Sequence, residues 1–183
     1  MTYIAIGCRI LLGTVFLVAV TGKVRGPAEF RSFARGLGEL RLVRRRWRPA
    51  VAAVVVAVEA AVPVLLAVPA TARLGLGLAA GVLLVFTGAL GWALRRGVRQ
   101  PCRCFGAGTT PLSGIHLVRN GALAALAGLG AVLPGGSAVT LPGVLVAAVA
   151  GLAVALPVIR LDDLVALFAS PAVPTDPART NSH

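Results

Sequence analysis

Five apolar runs, each about as long as a bilayer core is thick, set the limits on what this chain can fold into. They cover residues 3–20, 49–68, 74–94, 115–133 and 139–159. A helix needs about 20 mostly apolar residues to cross a hydrocarbon core of about 30 Å. The first run is interrupted only by Arg9 and the second only by Glu59, while the third carries no charge. The fourth is the weakest, with Arg119 and Asn120 in its opening turns, and the fifth has Pro142 and Pro157 near its ends. The expected fold is all-α: a polytopic transmembrane helical bundle with five spans.

Composition agrees. Only 13% of the 183 residues are charged, against about 25% in a soluble domain, and the mean hydropathy is +0.89. No polar stretch is long enough to fold as a separate soluble domain. Residues 1–169 are therefore read as a single transmembrane domain, and residues 170–183, rich in Pro, Thr and Asn, as a disordered tail. The net charge of +12 does not indicate a nucleic-acid surface, because the basic residues sit between apolar runs and aromatic residues make up 5% of the chain. Arginine outnumbers lysine 17 to 1, which reads as coding bias.

Between the first two runs, Phe30, Phe33, Leu37 and Leu40 recur at helical spacing, with Arg31, Arg35 and Arg41 among them. This predicts an amphipathic helix at the membrane interface. It leads into Arg44-Arg45-Arg46-Trp47-Arg48, read as a stop-transfer anchor. The first loop holds nine basic residues, the second one, the third four, the fourth none and the tail two. Five spans place the first loop, the third loop and the tail together, with 15 of the 18 basic residues. The positive-inside rule makes that side cytoplasmic and puts the N-terminus outside. No basic residue precedes Arg9, so the first run is expected to be an outward-inserted span and not a cleaved leader. Gly77 and Gly81 have the small-xxx-small spacing of close helix contacts, which a chain with 22 glycines also produces by chance.

The chemistry-bearing residues are few. Cys102 and Cys104 flank Arg103 in the third loop, between Pro101 and the Phe105-Gly106 pair. Arg95, Arg96, Arg99 and Arg103 surround them, and positive charge favours the thiolate. A disulfide across one residue closes a tight ring, which suits exchange more than bracing. A redox pair is the preferred reading. Two inert thiols, or a zinc site using His116 that would still lack a fourth ligand, are the alternatives. Cys8, near the opposite face, is a small hydrophobe or a relay partner. Arg9 and Glu59 lie about 9 Å and about 13 Å below the same membrane face, at about 1.5 Å per residue. An ionisable group within a span needs a partner, so an Arg9–Glu59 ion pair is expected. It would serve either structure or the binding of a quinone or thiol partner. Arg119 and Asn120 either snorkel to the interface or help hold the cysteine loop. His116 is expected at the interface.

Several of these residues together resemble the MauE family of DoxX-like membrane proteins. They are Arg9, Gly13 and Phe16 in the first span and Lys23 after it, Phe30, Glu59, Cys104-Phe105-Gly106, and Arg119-Asn120 opening the fourth span. The resemblance implies a four-helix DoxX-like core in the cytoplasmic membrane and an association with thiol–disulfide chemistry. In that family the role is linked to maturation of methylamine dehydrogenase, with a thioredoxin-like partner. The function expected is an accessory to thiol–disulfide or electron transfer that matures a secreted client enzyme. Cys102 and Cys104 would be the exchanging pair, and Arg9, Glu59, Arg119 and Asn120 an intramembrane polar cluster. The partner would be a thioredoxin-fold protein or a quinone, and no cofactor would be firmly bound. A non-catalytic scaffold docking a redox enzyme and a small transporter-like bundle are the alternatives.

Overall fold

A computed structural model of the chain describes residues 2–39, 43–97, 114–132 and 140–161. All the regular structure among them is helical. The six α-helices are α1 (Thr2–Val24), α2 (Pro27–Glu39), α3 (Arg48–Ala67), α4 (Ala72–Arg95), α5 (Gly114–Val132) and α6 (Leu141–Ile159). Short 3-10 turns, Arg45–Trp47 and Pro69–Thr71, precede α3 and α4. All but α2 are long and apolar enough to cross a membrane. At 1.5 Å per residue even the 19-residue α5 and α6 reach about 28 Å, close to the bilayer core. The protein is a multi-pass membrane protein, and the weak fourth run forms a full-length helix.

The core is a ring of four helices: α1 packs on α3, α3 on α4, α4 on α5, and α5 closes on α1. Leu12, Val15, Phe16, Val62, Leu66, Leu76, Leu83 and Leu123 fill its centre. Outward-facing residues such as Val54, Leu74, Val85 and Val118 stay exposed to lipid. Helix α6 stands outside the ring against α1. It runs parallel to α1, since Tyr3 meets Gly143 while Ile10 and Leu11 meet Gly151. Tyr3 Oη also accepts from the Thr140 N–H at 3.1 Å, at the N-cap of α6, which serves a backbone donor that the helix leaves open.

Small residues set the close approaches, but not the pair with the motif spacing. Gly77 and Gly81 meet nothing within 4 Å and are exposed, so they face lipid and not a neighbouring helix. The tight contacts are at Gly75 against Leu65 and Leu66, at Gly130 against Leu76, and at Gly151 against α1.

The interfacial helix is present as α2. Its apolar residues Phe33, Ala34 and Leu37 are buried with Ala52 of α3, so protein covers much of the face that the periodicity assigned to the membrane surface. Leu40, the last residue of that pattern, lies outside the described residues, as do Cys102, Cys104 and the tail from 162 onward.

Candidate functional site

Among the described residues the buried polar or charged side chains are Lys23, Glu59, His116, Arg119 and Asn120. Lys23 lies in the last turn of α1; His116, Arg119 and Asn120 lie in the first two turns of α5; Glu59 is in mid-α3. Lys23 Nζ donates to both carboxylate oxygens of Glu59, at 2.8 and 2.7 Å. Both side chains are sealed from the surroundings, at 2% and 4% exposure. The ammonium stands over two aromatic rings, 5.0 Å from the Phe33 centroid and 5.9 Å from that of Phe86. The rings' negative faces add attraction that strengthens where water is absent. Helix α2 thus supplies one wall of the site, and α4 another.

Local sequence explains the arrangement. Helix α1 continues to Val24, so Lys23 does not reach a loop, and its long apolar stem packs within the bundle. Pro63 follows Glu59 by one turn within α3 and has no N–H for the Glu59 carbonyl. Gly91 packs against Leu117, and Gly130 against Leu76. This antiparallel register of α4 and α5 puts Asn120 level with Phe86 to Gly88, the level of the ion pair. Asn120 is 1% exposed, and its Oδ1 has no hydrogen-bond partner among the described residues.

The expected Arg9–Glu59 pair does not form. Glu59 is taken by Lys23, and Arg9 instead donates from Nε and Nη2 to the Leu66 carbonyl, at 3.1 and 2.6 Å. Leu66 is in the last turn of α3, where carbonyls have no partner within the helix. The Thr71 hydroxyl serves the neighbouring Leu65 carbonyl at 2.8 Å. Arg9 is therefore a C-terminal cap for α3, and its positive charge suits the negative end of that helix. Arg9→Leu is expected to cost about 1–3 kcal/mol by leaving the carbonyl unmet. Its effect should add to that of Glu59→Leu within about 0.5 kcal/mol. Thermal unfolding in detergent of the two single variants and the double checks this, and strong coupling would restore the Arg9–Glu59 pair.

Arg119, 7% exposed, and His116, 3% exposed, are held inside the bundle. Cys8 is half-buried and lies near Gly130, at the far end of α5 from the site. The cysteine loop joins α4 to α5, and its flanking residues Gly97 and Gly114 stand at the end of the bundle that holds Lys23.

Sequence reasoning found Glu59 and Asn120 but counted Lys23 as a loop charge. A signal was present: Lys23 is the chain's single lysine against 17 arginines. Where coding bias supplies arginine everywhere else, a lysine marks a place that wants a compact ammonium and not a planar guanidinium.

No curated protein and no solved structure matches the chain. The family model described as methylamine utilisation protein MauE matches residues 1–133. That stretch contains α1 to α5, the whole four-helix ring and the buried ion pair. The chain belongs to the MauE family.

Proposed function

We propose that this protein is a membrane accessory to thiol–disulfide or electron transfer, serving maturation of a partner enzyme in methylamine utilisation, with Cys102 and Cys104 as its exchanging pair. The observation that carries this reading is the placement of the α4–α5 hairpin. The ends that flank the cysteine loop lie at the same end of the bundle as the buried Lys23–Glu59 pair and Asn120. Burying an ion pair costs several kcal/mol per ion before its own attraction offsets that. A bundle needed only for its shape could fill the same space with leucine. Asn120 Oδ1 supplies an unmet acceptor one to two turns below the loop, suited to a donor from the loop or from a partner.

The chemistry balances in either of two ways. The Cys102 and Cys104 thiols form a disulfide, releasing two electrons and two protons. A membrane quinone takes both and becomes a quinol, or the disulfide of a thioredoxin-fold partner is reduced to a dithiol by exchange. The basic end faces the cytoplasm by the charge rule. Cys8, near Gly130, sits toward the other face. A mobile carrier in the bilayer therefore suits transfer across the membrane better than direct contact between Cys8 and the loop.

Alkylation of the full chain in native membranes, in a Cys8→Ser background, tests this. Cys102 and Cys104 should become blocked after an oxidant and free again after a reductant. A membrane-impermeant maleimide should reach them in inside-out vesicles and not in intact cells. If Cys102→Ser and Cys104→Ser leave partner maturation unchanged, the protein is a docking scaffold and the redox reading fails.

A further inference from the structure

Helix α2 and the start of α3 enclose a second feature, separate from the buried pair. A groove of about 410 Å³ lies between them, lined by Phe30, Arg31, Ala34, Arg35, Arg45 and Arg48. Four arginines from two chain segments therefore border one largely apolar space. Among the described residues, none of the four makes an ion pair or a hydrogen bond. Arg48 Nε is buried without a partner. The Arg48 guanidinium packs so closely on Gly38 that a Cβ there would overlap it, which fixes the position of that arginine. Glu29, the acidic residue in the first turn of α2, folds back against Gly26 and does not line the groove.

We propose that this groove binds the phosphate of an anionic phospholipid headgroup. Planar guanidinium groups match phosphate oxygens bidentately. Basic pockets beside membrane helices are suited to such headgroups. The location selects a lipid over a free anion. The groove sits where the chain enters the membrane, next to the exposed Trp47, a residue type favoured at headgroup level. From Pro49, which also lines it, the exposed positions Ala53 and Ala57 continue at four-residue spacing down α3. They form an apolar track on one helix face along which acyl chains can lie. The basic segment is thereby more than a topology signal: folding turns its charges into a shaped site, with α2 as one wall.

The test compares two charge-matched variants of the full chain in nanodiscs of phosphatidylcholine with a minor share of phosphatidylglycerol, with retained lipid read by native mass spectrometry. Arg31→Gln with Arg35→Gln removes two groove arginines; Arg44→Gln with Arg46→Gln removes two neighbours that do not line the groove. All four are exposed, and circular dichroism should show the same helix content in both variants. The groove variant should lose roughly tenfold or more of its phosphatidylglycerol preference, since a charge-assisted contact to phosphate is worth about tenfold, and the neighbour variant should lose markedly less. Equal losses would mean diffuse attraction and would overturn the site. Displacement of the lipid by excess inorganic phosphate would show that the groove selects phosphate without its acyl chains, and would overturn the lipid assignment.

Discussion

Glu59→Leu alone is expected to lower stability by about 3–5 kcal/mol, because it leaves the Lys23 ammonium buried without its counter-ion. Lys23→Met alone should cost a similar amount by stranding the carboxylate. The double variant, Lys23→Met with Glu59→Leu, should recover most of that loss, since removing both charges also removes both desolvation penalties. The geometry makes this the sharpest substitution test in the molecule. The two side chains share both carboxylate oxygens, and no other hydrogen-bonding partner serves Lys23 among the described residues. Lys23→Arg should not substitute, because the planar guanidinium must fit between Glu59 and the Phe33 and Phe86 rings. Thermal unfolding in detergent, followed by circular dichroism, gives the stability cycle. If the two single losses simply add, the pair is not coupled. The double variant also separates stability from function. It should fold while no longer supporting redox cycling of Cys102 and Cys104. A double variant with unchanged cycling would confine the pair to a structural role.

How far the sequence discloses this depends on which physical quantity is asked for. Span positions follow from apolar length alone, and the helices extend the apolar runs only at their ends, as where α1 runs on to Val24 and α4 starts at Ala72. Side-chain pairing depends on register and on side-chain direction as well as depth. Arg9 and Glu59 share an approximate height below one face, yet Arg9 meets the end of α3 at Leu66, seven residues beyond Glu59. Lys23 looks solvated because it closes an apolar run. It becomes buried because α2 folds back and brings Phe33 over it, a tertiary event that no local pattern encodes. Its isolation among arginines was the legible trace. Similarly, Gly77 and Gly81 have contact spacing but the wrong helix face. Gly151, which has the same four-residue spacing from Ala147 and to Ala155, lies on a face that does meet the backbone of α1. The redox reading of Cys102 and Cys104 is an expectation drawn from their basic neighbours and, more, from the family resemblance, and both residues lie outside the described ones.

Gly151→Leu is expected to detach α6 from α1 while leaving the four-helix ring in place. A Cβ at position 151 would stand 2.7 Å from the Gly7 carbonyl oxygen and 3.3 Å from the Leu11 backbone nitrogen. Those are backbone atoms, which cannot rotate away, so the helices must separate. Membrane helices associate through close packing, without the hydrophobic drive that water supplies, and a gap between α1 and α6 would be filled by lipid at little cost. Overpacking of this kind costs about 1–3 kcal/mol. Helix α6 is held mainly by α1 along its length, from Tyr3 with Thr140 at its start through Ala147 beside Gly7 to the buried Ala155. By contrast, Gly81→Leu meets open space and should leave stability unchanged to within about 0.5 kcal/mol. Cysteines placed at Tyr3 and Gly143, whose side chains would face each other, report the contact by oxidative cross-linking in a chain with its native cysteines replaced. Gly151→Leu should abolish the cross-link, and Gly81→Leu should keep it. Because the matched family region ends at residue 133, before α6, the ring should retain the Lys23–Glu59 stability coupling in Gly151→Leu. Loss of that coupling together with the cross-link would show that α6 is an integral part of the bundle and not an appended helix.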